Sequence, residues 1–388
     1  MNQLENERRI RPTEGSQQVI KGILRTLATL CLAIACGLIS PARGQQVGLA
    51  PQNRADAGTA VFASTAMLEA ELEDLRSRVD ALDRAAVGKL DDKGLDASVC
   101  SGWLVSVDYL NWDLRQRGTD FAITTDAQAD AVGSGSVHNL DMDRNSGVRT
   151  NLGYRTRSGW EWGIGYTYFQ TDGTASAAAP AGGNLWATRS HPALYEEALT
   201  ADVSANFGYH VFDLEARYPL VQGCPVTMQI FGGLRWADID QTFQVVYDGD
   251  DFVDALCRNA TSMTGFGLRL GAESHWRLNS SWSLFGSAAG SILYGRFHTH
   301  LLETNTAGAD TIVDVRDDYG QAVPVLDAAV GVAWNRGPVQ IRGGYEMANW
   351  FNLADRSMFP DERHEGAYAP QANDVLLDGL FVRFSYTH

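Results

Sequence analysis

From Trp103 to the last residues, large apolar side chains alternate with small or polar ones, and a period of two fits a β-strand and not a helix. Trp160, Trp162, Ile164, Tyr166 and Tyr168 stand against Glu161, Gly163, Gly165 and Thr167. The pattern recurs over Val148–Tyr154, Val203–Tyr209, Val226–Ile230, Phe266–Leu270, Trp282–Tyr294, Leu326–Trp334, Val339–Met347 and Leu380–Tyr386. With Trp103–Asp113 placed first, the count is about ten strands. The phase slips at Tyr109–Trp112 and Val211–Leu214 read as bulges.

Alternation leaves open which face is wet. In a soluble barrel the apolar face is inside; in an outer-membrane barrel it meets lipid and the polar face lines the lumen. The connections decide for the second. Thr156–Gly159, Gly223–Pro225, Leu278–Ser281 and Asn335–Pro338 are short, whereas 116–145, 170–199, 248–260, 303–322 and 352–374 are long. Short and long alternate, as periplasmic turns and extracellular loops do. Tryptophan is concentrated at strand ends: Trp160, Trp162, Trp276, Trp282 and Trp334 flank the short turns and Trp103 opens the first strand, while Trp112 and Trp350 adjoin the long loops. Two aromatic girdles are the expectation.

The first hundred residues read differently. Lys21 and Arg25 precede the apolar run Leu27–Ile39 and the small-residue stretch Ser40–Gly44, the form of a secretory signal over 1–44. Residues 45–60 read as disordered. Over 61–90, Val61, Leu68, Leu72, Leu75, Val79, Leu82 and Ala86 form a heptad seam, either a periplasmic coiled coil that joins chains into a homo-oligomer or a single amphipathic helix. Residues 91–99 form a polar linker to a barrel domain over 100–388. Removing 1–44 takes away six Lys/Arg and three Asp/Glu, which leaves 25 basic against 44 acidic residues, a net charge of −19. Such a balance excludes nucleic acid as a partner. Three cysteines remain; Cys100 and Cys224 fall at the same barrel end and are the disulfide candidate, leaving Cys257 as the odd one.

The stretches GWLVSVDYLNWDLRQRGTDFAIT (102–124), FGGLRWADIDQ (231–241), GFGLRLGAESHWRLN (265–279), LFGSAAGSILYGRFH (284–298), GYEMANWFNL (344–353) and LLDGLFVRFSYT (376–387) resemble the Legionella-type major outer-membrane protein family of pore-forming barrels. The resemblance covers about three-quarters of the chain. It implies a porin-like protein in the outer membrane of a Gram-negative-type envelope, surrounded by lipid and inserted by the barrel-assembly machinery. Gly379, Val382 and Phe384 suit the usual insertion signal, although the chain ends in His388 and not in an aromatic.

The fold class expected is therefore all-β: an antiparallel, up-and-down transmembrane barrel of about ten strands, preceded by a signal peptide and a short coiled-coil helix. With the apolar face outward, Asp108, Arg149, Arg155, Glu161, Arg235, Arg269, Glu273, Arg342, Glu346 and Arg383 line the pore. Ten strands enclose a narrow lumen, so these charges either set a barrier to ions or pair and close it. Asp248, Asp250, Asp251, Asp317 and Asp318 would make an acidic vestibule that favours cations. The Asp248–Asp251 run lacks calcium-loop spacing, so neither metal nor cofactor is expected. His298 and His300 lie near carboxylates, yet nothing fixes a catalytic geometry and no enzyme is expected. The function expected is passive passage of ions or small solutes; the alternative is a non-conducting structural or adhesive surface barrel.

Overall fold

A computed structural model describes residues 101–126, 135–192, 197–223, 225–359 and 369–388. The signal peptide, the heptad helix, the linker, Cys100 and Cys224 lie outside these residues. The strands in chain order are β1 (Gly102–Gln116), β2 (Asp120–Thr125), β3 (Ser136–Asn139), β4 (Asn145–Arg155), β5 (Glu161–Ala178), β6 (Asn184–Ala187), β7 (Glu197–Ala198), β8 (Thr200–Gln222), β9 (Val226–Gly249), β10 (Phe252–Arg277), β11 (Trp282–Asn305), β12 (Asp310–Arg336), β13 (Val339–Met358) and β14 (Ala369–Thr387). Ten of them, β1, β4, β5 and β8 to β14, close into one antiparallel barrel in which β1 pairs with both β4 and β14. These are the ten strands that the alternation predicts. The short strands β2, β3, β6 and β7 form a separate sheet.

Both ends of the barrel chain sit at the short-turn end, where the His388 amide donates to the Trp103 carbonyl at 2.9 Å. Gly159 and Gly337 take φ of 86° and 58° in two of these turns, a backbone region that suits glycine. By the rule that short turns face the periplasm, the opposite end is extracellular. Above the short turns, Trp103, Val105, Val107 and Tyr109 on β1, and Leu380, Val382, Phe384 and Tyr386 on β14, are exposed on the outer wall as a lipid-facing belt.

Three expectations change at the extracellular half. The stretches 248–260 and 303–322 are strand for most of their length and not loop, because β9 to β12 run 24 to 27 residues each. At about 3.3 Å per residue and a tilt near 45°, 24 residues rise about 55 Å, twice an apolar band of about 25 Å. The phase slips are not bulges: β1 keeps continuous register with β4 and β14, and β8 with β9 from Thr200 to Pro219. Instead, the apolar face changes sides. Val203, Phe207, Tyr209 and Val211 point inward and are buried, whereas Phe212 and Leu214, further toward the short turns, point outward. The reason is the outer solvent. Beside lipid the outward positions must be apolar; beside water it is the inward ones that bury apolar surface.

The aromatic girdles change accordingly. Trp103, Trp160, Trp162, Trp276 and Trp282 form an exposed girdle at the short-turn end, but Trp112 and Trp350 are buried in the lumen at 2 % and 0 % exposure. Phe297 is likewise fully buried and stacks on Tyr319 with ring centroids 5.0 Å apart. Phe297→Ala should cost about 3–5 kcal/mol, read as a lower urea midpoint for the folded protein in lipid. The same truncation at the lipid-facing Phe266 should cost clearly less, since lipid fills the space.

Candidate functional site in the barrel lumen

The lumen beside the belt is lined by ion pairs. Asp108 is wholly buried and accepts from Arg383 Nε and Nη2 at 2.8 and 2.7 Å and from Arg149 Nη1 at 3.2 Å. Arg149 also holds both oxygens of Glu346 at 3.0 Å. A second set joins Arg235 to Asp213 through two bonds of 2.7 and 2.9 Å, and joins both Arg235 and Arg269 to Asp327. Arg269 continues to Glu215 at 2.9 Å, which Arg217 meets at 2.7 Å. Glu273 takes Arg342 at 2.8 Å and Gln229 at 3.2 Å, with His275 at 2.6 Å, and Arg155 meets Glu161 at 3.0 Å. Seven arginines thus face seven carboxylates, so the lattice carries no net charge from these groups.

This lattice lines a cavity of about 470 Å³ that reaches from Gln222, Pro338 and Thr387 at the short-turn rim up to Trp112 and Tyr209. An apolar layer stands above it. Trp112, Tyr209 and Trp350, from β1, β8 and β13, make a chain across the lumen with centroid separations of 6.0 and 5.7 Å. Leu110, Phe169, Ile239, Met263, Leu293, Val325 and Leu377 belong to the same buried cluster, to which every barrel strand except β4 contributes. Charge lattice and apolar layer are bonded together: Trp112 Nε1 donates to Glu346 Oε1 at 3.0 Å, and the Arg149 guanidinium lies 5.6 Å from the Trp112 ring.

A closed ten-strand barrel with a lipid-facing belt and a lumen lined by paired charges beneath an apolar layer is the setting in which the sequence comparisons apply. Residues 97–388 match the family of the Legionella pneumophila major outer membrane protein precursor. The chain belongs to that family. Among solved structures it is similar to the outer membrane protease OmpT of Escherichia coli (8 % identity, 74 % of this chain and 97 % of that one, TM-score 0.41). It is also similar to a major outer membrane protein of Thermus thermophilus (10 % identity, 74 % of this chain and 100 % of that one, TM-score 0.31). No functionally curated protein matches. Family membership places this protein in the outer membrane; the structural likenesses carry nothing about activity.

In this family member the ten residues expected along the pore all point into the lumen, and each is in an ion pair. The alternation could also have found Asp213, Glu215, Arg217 and Asp327. The first three follow the change of face at Val211, and Asp327 sits among apolar neighbours. The five vestibule residues are not brought together. Asp248, Asp250 and Asp251 lie at the β9–β10 turn, where Asp250 takes φ of 54°, whereas Asp317 and Asp318 lie within β12 and neighbours on a strand face opposite sides. Asp318 is on the outer wall, 2.6 Å from His298, and His300 pairs with Asp314 at 2.9 Å.

Above the apolar layer, the small sheet packs Phe121, Ala122 and Leu185 against Val203, Tyr247 and Cys257 on the inner face of β8 to β10. Beside it a cavity of about 60 Å³ is lined by Arg189, Cys257, Glu303 and Arg356. Cys257 is free and burial pushes its thiol up; Arg189 is drawn down to about 10 by burial and Arg356. Glu303 accepts twice from the His191 amide, at 2.9 and 3.1 Å, and its burial raises the carboxyl from its ordinary 4.5 to about 7.

Asp108→Asn leaves Arg149 and Arg383 without their shared carboxylate and should cost about 3–5 kcal/mol, measured as the loss in urea midpoint. Because Glu303 binds its proton more tightly folded than unfolded, it stabilises the fold below about pH 4.5, and that contribution is lost as pH rises through about 7. Unfolding midpoints between pH 5 and pH 8 should therefore fall less in Glu303→Gln than in the unaltered protein.

Proposed function

We propose that this protein is a surface barrel closed to solutes at rest, which anchors its long extracellular half in the outer membrane as a structural or adhesive element. The observation that carries this reading is the buried Trp112–Tyr209–Trp350 chain across the lumen, with the ion-pair lattice directly beneath it. A permeating ion would have to displace fully buried side chains and give up its hydration among groups already paired.

Porin-like passage is the second reading, and the cavity of about 470 Å³ at the short-turn end of the lumen favours it. In that reading the aromatic chain is a gate. Seven arginines against seven carboxylates give such a conduit no preference for cations. Any preference would come from Asp248, Asp250 and Asp251 at the extracellular turn.

Planar-bilayer recording separates the two. The unaltered protein should pass no stable unit current, and Trp112→Ala combined with Trp350→Ala should open discrete steps. Steady unit steps from the unaltered protein would reject the closed reading in favour of the pore. A folded double variant that stays silent would show that the aromatic chain is not what closes the lumen.

A further inference from the structure

The outer wall of β10 to β12 carries a column of basic side chains directly above the lipid belt. On β11 the outward residues run from Trp282 to Tyr294, then Arg296, His298 and His300. Twelve residues at about 3.3 Å and a tilt near 45° make about 28 Å, enough to cover an apolar band of about 25 Å. Arg296 therefore stands where hydrocarbon ends on the extracellular side. Arg316 lies opposite His300 on β12, and Arg258 lies opposite Leu302 on β10. The column thus rises about 15 Å above Arg296 by the same spacing.

Two of its three arginines are not spent internally, and the third is held only loosely. The two aspartates within it are held by imidazoles, Asp318 by His298 at 2.6 Å and Asp314 by His300 at 2.9 Å. Arg316 comes no nearer to Asp314 than 3.8 Å and its side chain is 70 % exposed. Arg258 and Arg296 hold no carboxylate among the described residues. Elsewhere at this height the wall is different. Across the barrel Arg115 meets Asp378 at 3.1 Å and Arg144 meets Asp113 at 3.3 Å. Among the described residues at this height, the adjoining strands β5, β8 and β9 present Asp172, Asp202, Asp238 and Asp240 outward, and no arginine or lysine.

We propose that the column formed by Arg258, Arg296 and Arg316 is a binding surface for a phosphorylated glycolipid of the outer leaflet. Arg296 meets a phosphate at the acyl boundary, and Arg316 and Arg258 meet anionic groups further along the saccharide. A lipid with one phosphate at the hydrocarbon edge reaches only the lowest arginine. A glycolipid with anionic groups along a saccharide matches the full height, and the acidic β5–β9 wall confines it to one side. Guanidinium suits phosphate through paired N–H donors, and continuity with the lipid belt lets the acyl chains pack below.

The test uses the folded full chain in neutral detergent and measures binding of three probes: a rough-type lipopolysaccharide, the same glycolipid enzymatically dephosphorylated, and phosphatidylglycerol. The R258Q/R296Q/R316Q variant changes only wall positions outside the barrel core, and its fold is checked by tryptophan emission. Should it fail to fold, Arg296→Gln alone is read against the same probes. The phosphorylated glycolipid should bind the unaltered protein at least tenfold more tightly than either other probe. The triple variant should lose that advantage, at about tenfold for a single charge-assisted contact. Equal binding of the dephosphorylated glycolipid would reduce the contact to acyl packing and overturn the proposal. Equal binding of phosphatidylglycerol would do so as well, as would a variant that binds like the unaltered protein.

Discussion

The change of outer solvent partway up the barrel wall governs which side chains of the described barrel strands face outward. A strand keeps one backbone geometry along its length, yet its outer surroundings change from hydrocarbon to water. Beside hydrocarbon the outward positions must be apolar, so the charges go inside; beside water the order reverses. On β8 the switch falls between Val211, buried inside, and Phe212, exposed outside. On β11 it falls between Tyr294 and His298 on the outer wall, while Leu293 and Phe297 fill the interior. All barrel strands but β4 bring apolar residues into the upper layer and all but β11 carry charged groups below it, which places a charged lumen directly below an apolar one.

That stacking explains how the charged part is tolerated. Ionised groups in a dry interior cost several kcal/mol each unless they are paired and fully bonded. Here the pairing is nearly closed: Asp108 has two guanidiniums, Glu346 has one guanidinium and the Trp112 indole, and Asp327 bridges Arg235 and Arg269. The aromatics serve both regions, since Trp112 packs against Phe169 and Tyr209 while its N–H satisfies a carboxylate. Phe231 likewise lies under Arg217 and Arg269 at 5.1 and 5.6 Å.

The strand number, the antiparallel order and the short turns were legible because they rest on local chemistry: alternation within a strand and turn residues at Gly159 or Gly337. The inward charges were legible wherever lipid fixed the outside, as at Arg269 and Glu273. What the sequence conceals is the change of side, because a period of two looks the same whichever face is apolar. Leu110 and Trp112 therefore look like a slip of register when they are a change of surroundings, and Trp350 looks like an interface anchor when it is core. Asp317 and Asp318 look like one acidic patch, although as strand neighbours they are sent to opposite sides. Only closure of the barrel brings Trp112, Tyr209 and Trp350 together, across 97 and 141 residues of sequence.

The same geometry bears on what a lumen of this kind can select. A filter that favours one sign of ion needs a surplus of the other sign facing the path. Seven arginines matched by seven carboxylates have no such surplus, and each side chain is already committed to a partner. Such an arrangement fits a lattice that ties nine of the ten strands together at fixed spacing better than one that passes ions. On the outside, Arg258 and Arg296 stand above the lipid belt with no carboxylate of the described residues bound to them. Recognition is therefore better placed on the outer wall than in the bore.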